Sequence, residues 1–481
     1  MPTATVQSAT LNLHDEMQAI VGAEHIAGAE YDRRRKHRKG KGRRQQSRNA
    51  SLDAFAIDDI APVVVVSPGS VEEIAAILRL ASERDYVVVP TCGMTKQNIG
   101  AIPERIDVLL RTNRLNNVEH YDAGDLTFGA GAGMTVAAVQ QKLAANSQFL
   151  PLDPMLSDRA SIGGVLATNS HGPMKAGYGG VRDYCIGVHF VTADSKIAKG
   201  GGRVVKNVAG YDLMKLMIGS HGTLGIITSA NFKVFPAPRQ TRTFICEFAT
   251  AAEAITFRDS IIASPLSPMC LEIASPRAQE YLSGPVTARD PDHYAPRAQM
   301  DNRTTWNIYL RASGSDNVLN RYRQELGSVI TREVESAQEA QLWNWFSNFE
   351  PAVIERHRNA MLIQVNIRTS AVQATLEAAE QCAVEHNLLC ASIGRVSVGA
   401  LVIAFMPLAV DPPSAMQFVN AASSLRGRLP REASAIVVRC PKESKNHFDV
   451  WGSTPTDLDT MRAVRAAMDP KQILNRGRFL V

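Results

Sequence analysis

The stretch Pro90-Thr-Cys-Gly-Met-Thr-Lys-Gln-Asn98 sets glycine, hydroxyl and lysine side by side directly after a short β-branched run. Successive backbone N–H groups in such a loop form a concave nest for phosphate oxygens, and a plain structural turn would use the same residues. The loop is neither a G-x-x-x-x-G-K-S/T nor a G-x-G-x-x-G pattern. A second signal lies between Pro151 and Pro238, where glycines crowd into Gly163-Gly164, Gly179-Gly180, Gly200-Gly201-Gly202, Gly219, Gly222 and Gly225. Such density means repeated close approach of backbone to a ligand, or repeated tight turns. The cysteines at 92, 185, 246, 270, 382, 390 and 440 form no C-x-x-C pair and no zinc or iron–sulfur spacing. They read as reduced, buried thiols. If this chain passes electrons onward, the next metal centre lies on another chain.

The elements that must hold these loops follow from periodicity. Leu11–Ile26 has helical apolar spacing, and Val63–Val66 is an apolar run. Ser70–Arg84 reads as a helix with Ser70 as N-cap and Glu73 at the capping-box position. Tyr86–Val89 and Ile106–Arg111 read as strands around the Pro90–Gly100 loop. A further strand, a Gly-Ala-Gly turn and a helix over Thr135–Ala145 come next. Two strand–helix–strand units are thus expected in the first 150 residues. From about residue 239 to 440, strands at Thr243–Phe248, Thr305–Leu310, Met361–Ile367 and Ala400–Phe405 alternate with helices at Asp316–Leu326 and Ala371–His386. This predicts a separate antiparallel sheet with helices on one face. No internal repeat implies a solenoid.

Composition narrows the function classes. A hydrophobic fraction of 45% and a charged fraction of 21% over 481 residues fit a globular protein of two or three domains. With 4 Trp and 10 Tyr, a stacking platform for single-stranded nucleic acid is not suggested. No apolar run reaches the roughly 18 residues of a membrane span; Val398–Val410 is interrupted by Pro407 and reads as a buried strand. The N-terminus lacks a secretory pattern, and Asp15 and Glu16 argue against a transit peptide. The expectation is a cytoplasmic protein, or one peripheral to the inner membrane through partners. The net charge of +5 comes from one tract, since Arg33–Arg48 holds ten Lys or Arg and no acid and leaves −5 on the rest. A solvated linker explains the tract better than a nucleic-acid contact, because no aromatics are interleaved.

A longer series of motifs carries a resemblance. It comprises Asp153-Pro154, Ala160-Ser-Ile-Gly-Gly-Val-Leu-Ala-Thr-Asn169, Gly172-Pro173, Tyr178-Gly-Gly-Val-Arg-Asp183, Gly201-Gly-Arg-Val-Val-Lys-Asn-Val-Ala-Gly-Tyr-Asp-Leu213 and Gly219-Ser-His-Gly-Thr-Leu-Gly-Ile-Ile227. This closely resembles the FAD-binding domain of flavoproteins of the vanillyl-alcohol oxidase and p-cresol methylhydroxylase (PCMH) type, and among them the FAD-binding subunit of bacterial glycolate oxidase. The resemblance covers residues 57–238 and, more loosely, the rest. Trp306–Leu310 and Leu342–Phe346 look like family elements. Asp449-Val-Trp-Gly452 and Asp469–Arg478 look like its C-terminal signature, with Arg476 where the family has proline. Ala19–Glu24 looks like the start of the larger flavin subunit of the same complex, which suggests a domain that begins before residue 50.

The resemblance implies an α+β protein in four parts. These are an N-terminal helix and basic linker (1–56), a two-subdomain PCMH-type FAD-binding domain (57–238), an antiparallel-sheet substrate or cap domain (239–440) and a C-terminal segment returning to the FAD domain (441–481). It implies that Gly93, Met94, Thr95 and Lys96 approach the pyrophosphate through backbone amides, joined by Asp153, Pro154, Ser161, Gly163, Gly164, Thr168 and Gly172. Gly222, Gly225, Ile226 and Ile227 would line the flavin and adenine. Thr95 stands where some members attach FAD through a histidine, so the FAD is expected to be noncovalent. Lys206 and Arg203 fall to an interface or a phosphate, and His221 to packing.

The implied activity is oxidation of a small 2-hydroxy acid of the glycolate or D-lactate type, as one subunit beside a homologous flavin subunit and an iron–sulfur subunit. Such chemistry needs a cation for the carboxylate and a group to take the hydroxyl proton. Arg395 is the expected cation, with a surface ion pair as its competing role, and His171 is the candidate base, with a merely hydrogen-bonded loop histidine as its competing role. The histidine-rich metal motif H-x-G-D-G-N-x-H of related D-lactate and D-2-hydroxyglutarate dehydrogenases is absent between 360 and 450, so no metal is expected. Two alternatives stand beside this reading: a noncatalytic FAD-binding or assembly subunit, and a stand-alone FAD-dependent alcohol oxidase.

Overall fold

A computed structural model describes residues 4–28, 52–203, 211–282, 304–408 and 414–480. The basic tract 33–48, Lys206 and most of the 203–213 run lie outside the described residues.

The chain builds three principal sheets. The first has four strands in the order Ile26–Gly28, Val64–Val66, Val108–Arg111, Val88–Thr91. Its first pair is antiparallel and the others are parallel. Helix Val71–Arg84 begins at Ser70, whose hydroxyl accepts the Glu73 N–H, as the sequence predicts. The Glu73 carboxylate takes the N–H of Gly69 and not that of the cap residue, so the box closes one residue early. The N-terminal helix spans Ala4–Val21, earlier than its apolar spacing suggests. It packs Leu13, Met17 and Val21 into this subdomain's core, and Ile26–Gly28 pairs as an edge strand.

The second sheet is antiparallel, in the order Val118–Asp122, Thr127–Gly131, Ile226–Lys233, Cys185–Val191, Ile197–Gly201. The second strand–helix–strand unit expected from the sequence is therefore not formed. After helix Val136–Ala144 the chain makes only the two-residue strand Gln148–Phe149, which pairs with Phe235–Pro236. Helix Ile162–Thr168 lies against the strand Ile226–Lys233, with Ser161 capping it through the N–H of Gly164.

The third sheet has eight antiparallel strands in the order Arg332–Val334, Thr241–Phe248, Trp306–Ser313, Cys270–Ala274, Leu388–Arg395, Ala400–Pro407, Met361–Asn366, Ser434–Arg439. Neighbouring strand residues face opposite ways. Tyr322 of helix Asp316–Leu326 stacks on Phe244, whereas Trp343 of helix Ser336–Ser347 donates its indole N–H to Thr243 at 2.8 Å. Helix Ser336–Ser347 thus covers the face opposite to Asp316–Leu326. The sequence reading passed over strand Leu388–Arg395 because it is buried on both sides and shows no alternation. Among the described residues no helix is long and apolar enough to cross a membrane.

Candidate active site

Two adjoining cavities collect most of the residues singled out by the sequence. The larger, of about 1040 Å³ including its open mouth, runs between the first two sheets. Gly93, Met94, Thr95, Lys96, Pro154, Ser161, Gly163, Gly164, Thr168, Gly222, Gly225, Ile226 and Ile227 line it. The backbone N–H groups of Gly93, Met94, Thr95 and Lys96 donate to no acceptor among the described residues, and Met94 holds the left-handed turn at φ 54°. Unpaired amides at the wall of a cleft are the donor set that phosphate oxygens require. Gly93 is demanded by packing, because a Cβ there would stand 1.8 Å from the Arg159 carbonyl oxygen.

Asp153 and Gly172 stand outside this lining. Asp153 is partly buried and its carboxylate accepts the N–H of Met174 at 2.9 Å, and a Cβ on Gly172 would meet the Asp153 carbonyl oxygen at 2.1 Å. Burial pushes the Asp153 carboxyl up to about 6 against that hydrogen bond and the charge of Arg395. Arg203 is exposed.

The cleft is closed by residues to which no role had been given. Trp451, Asn475, Arg478 and Phe479 come from the C-terminal segment. For Trp451, Asn475 and Arg478, membership of the C-terminal signature was the available signal; Phe479 lies one residue beyond it. His221, expected to pack, stacks on Phe479 at 5.2 Å and meets Trp451 edge-on at 4.9 Å on the cleft wall. Arg478 donates to the carbonyls of Gln97 and Ile99, and Lys445 to those of Asn98 (2.7 Å) and Gly100 (2.8 Å). Lys445 also pairs with buried Asp58 at 2.8 Å. Buried cations satisfied by loop carbonyls thus fix the second half of the nest loop. Arg476, in the family's proline position, pairs with Asp85 at 2.6 Å and donates to the Gln472 carbonyl at 2.9 Å.

The smaller cavity, of about 350 Å³, shares Lys96, Pro154, Met155 and Ser170 with the larger one. Its other walls include His171, Phe346, Phe349, Glu350, Gln364, Ile393, Arg395 and Val402. Arg395, at the end of a strand, and His171, in the loop after helix Ile162–Thr168, are therefore brought together beside the cleft. Arg395 is 5% exposed, so it is no surface ion-pair residue. It ends its strand opposite Glu272, a fully buried residue that the sequence did not single out. Direct cross-strand partners share a face, and the Arg395 Nε sits 3.3 Å from a Glu272 oxygen. Neither Glu272 oxygen accepts a hydrogen bond. Burial pushes the Glu272 carboxyl up to about 8, outweighing the Arg395 charge, and Asp153 acts in the same direction. His171 is held well below its ordinary value, first by burial and then by the charges of Arg395, Lys175 and Lys96. It is a neutral imidazole at neutral pH, and its Nδ1 has no hydrogen-bond partner.

Comparison with known families gives this geometry its context. Residues 62–201 match the family model described as FAD binding domain, and residues 448–479 match that of FAD linked oxidases, C-terminal domain. The chain carries an FAD-binding domain. Its cleft fits the cofactor, offering four unpaired amides for phosphate and apolar strand backbone at Ile226-Ile227 for the ring systems.

The chain is 32% identical over 237 residues to a D-lactate dehydrogenase of Archaeoglobus fulgidus, covering 47% of this chain and 53% of that protein. It is 33% identical over 222 residues to the glycolate oxidase subunit GlcD of Bacillus subtilis, covering 46% and 47%. It is 38% identical over 123 residues to the glycolate oxidase subunit GlcE of Escherichia coli, covering 25% and 35%. The matches thus span about half or less of these relatives' length. The solved 4-ethylphenol oxidase from Gulosibacter chungangensis superimposes with a TM-score of 0.70 over 99% of this chain and 98% of that one, at 16% identity. That likeness shows the fold: a PCMH-type FAD-linked oxidase architecture with an antiparallel-sheet domain.

Proposed function

We propose that this chain oxidises a small 2-hydroxy acid of the glycolate or D-lactate type with noncovalently bound FAD. It would do so as a subunit of a glycolate-oxidase-like complex that passes electrons to an iron–sulfur partner. The observation that carries the reading is the meeting of Arg395 and His171 in a cavity that shares its walls with the FAD cleft. In this division residues 57–238 serve the flavin, 239–440 cover the substrate, and 441–481 return to the cleft.

Noncovalently bound FAD supplies the two-electron acceptor for this oxidation. Arg395 takes the substrate carboxylate through its guanidinium. The neutral His171 ring, with Nδ1 unpaired, accepts the hydroxyl proton. Phe346 and Phe349 keep water from the reacting carbon. Thr95 offers no ring nitrogen for attachment, which supports noncovalent FAD. The relatives named as GlcD and GlcE subunits support a multisubunit enzyme. The scattered free cysteines support an iron–sulfur centre carried by another chain. Such a complex would work in the cytoplasm or, through its partners, at the inner membrane.

The test is an absorption spectrum of the purified chain followed by anaerobic addition of D-lactate and glycolate. Bleaching of the flavin band supports the reading, and a band that persists with both acids keeps the FAD-binding domain but moves the chemistry to another substrate or to a partner chain. A pH dependence follows from Glu272. Below its raised value of about 8 the carboxyl holds a proton and leaves the Arg395 charge to the substrate; above it, ionised Glu272 competes for the same guanidinium. KM is expected to rise roughly ten-fold as pH climbs past this point, with kcat moving less. Glu272→Gln removes that rise. A KM profile that is equally steep in the variant would refute the assignment.

A further inference from the structure

We infer that Glu350, held in place by Gln364, makes the smaller cavity selective for acids with a single carboxylate and an uncharged tail. The inference rests on the reading of that cavity as the substrate site. Strand register lays out its floor. Ile393 pairs with Val402, and Val402 with Gln364, so the three side chains stand in one row across adjacent strands. Arg395 lies two residues along from Ile393 and shares its face. From the Ile393 strand to the Gln364 strand is two strand spacings, about 10 Å.

The two ends of the floor carry opposite charge. At one end stands the Arg395 guanidinium. At the other, Glu350 projects from the first turn of helix Phe349–Arg356, where the helix dipole favours an anion, and accepts the Gln364 amide N–H at 3.0 Å. No Lys or Arg pairs with Glu350 among the described residues. Phe346 and Phe349 wall the space between, and the cavity is about 350 Å³ including its open side.

An acid anchored by its carboxylate on Arg395 must send its tail toward Glu350. A hydrogen or methyl there meets apolar wall. A second carboxylate would be brought against a fixed anion whose partner is the Gln364 amide and not a cation, since Lys96 stands on the wall shared with the FAD cleft, and such like-charge placement is how a site rejects a competitor. The sign of the tail charge, and not the tail's length alone, then selects the substrate.

The experiment uses the full chain loaded with FAD and reads ligand binding from the perturbed flavin absorbance. Butyrate and succinate are matched probes, differing in a methyl against a carboxylate at the far end. The wild type is expected to bind butyrate about ten-fold more tightly than succinate, and Glu350→Gln to bring the two within about three-fold. Glu350→Asp keeps the anion and should keep the preference, which separates a charge effect from disturbed packing. Equal affinities in the wild type, or a preference unmoved by Glu350→Gln at normal FAD content, would overturn the inference.

A turnover arm separates it from the reading on which it rests, using D-2-hydroxybutyrate and D-malate. If both bleach the flavin equally, the selectivity is wrong and the 2-hydroxy acid oxidation stands. If neither bleaches it while the butyrate preference holds, the oxidation is wrong and the charge selection stands.

Discussion

Replacing Arg395 with methionine is expected to lower kcat/KM for 2-hydroxy acids by about 10³-fold while FAD content stays at the wild-type level. Arg395 is the cation that the cap sheet presents to the smaller cavity, and losing one partner of a buried charge-assisted contact costs about 2–5 kcal/mol. The fold should weaken by only about 1–3 kcal/mol, because Glu272, left without its partner, stays protonated as a buried polar group lacking a hydrogen bond. Methionine keeps the bulk and polarisability needed to fill the same space. Stopped-flow reduction of the flavin and urea denaturation measure the two effects separately. A variant that reduces its flavin at the wild-type rate at all substrate concentrations would remove Arg395 from the site.

The second large effect concerns the cofactor. Arg478→Ala should weaken FAD binding by about 10²–10³-fold, since it strips two loop carbonyls of their donor at a cost of about 1–3 kcal/mol each. Those carbonyls belong to Gln97 and Ile99, in the loop whose preceding amides form the nest. Arg478 also anchors the closing segment: its own carbonyl accepts from the Trp451 indole at 3.0 Å and from the Ala101 N–H at 3.1 Å. Burial lowers its guanidinium to about 10, which leaves it a cation at neutral pH. Arg478→Lys keeps the charge but not the fork that reaches two carbonyls, so it should recover only part of the loss. Titration of the apoprotein with FAD, followed by quenching of flavin fluorescence, gives the constants. An unchanged constant in Arg478→Ala would show that the loop holds its shape without the C-terminal segment.

The contrast between these positions explains what could be read early and what could not. Gly93 to Lys96 form a nest from consecutive residues, so the geometry is a property of one short segment and its composition announces it. The same holds for Ser70 capping its helix and for Gly163, Gly164, Gly222 and Gly225 of the glycine-dense run, which line the cleft, while the run's other glycines stand outside it. The α+β architecture followed from periodicity together with the family resemblance carried by these segments. Where one side of an element meets solvent, alternation marks it. Strand Leu388–Arg395, buried on both sides, has no such mark and went unseen.

The smaller cavity is another matter. Arg395 and His171 were named from residue type and neighbourhood, but their meeting depends on how the cap sheet docks beside the FAD cleft. Glu272 is opposite Arg395 only because two strands distant in sequence pair in that register, and a slip of one residue would turn it to the other face. Glu350 and Gln364 come from a helix and a strand and are joined by one hydrogen bond. Trp451, Asn475 and Arg478 reach the cleft by a return of the chain that no local pattern encodes. The sequence by itself determined the cofactor class, through the motifs that carry the resemblance, and the loops that line the cleft, because those segments are built by neighbours along the chain. Only the tertiary structure decided which charges meet in the smaller cavity, because burial and long-range register, and not residue type, set which groups meet and which of them keep their protons.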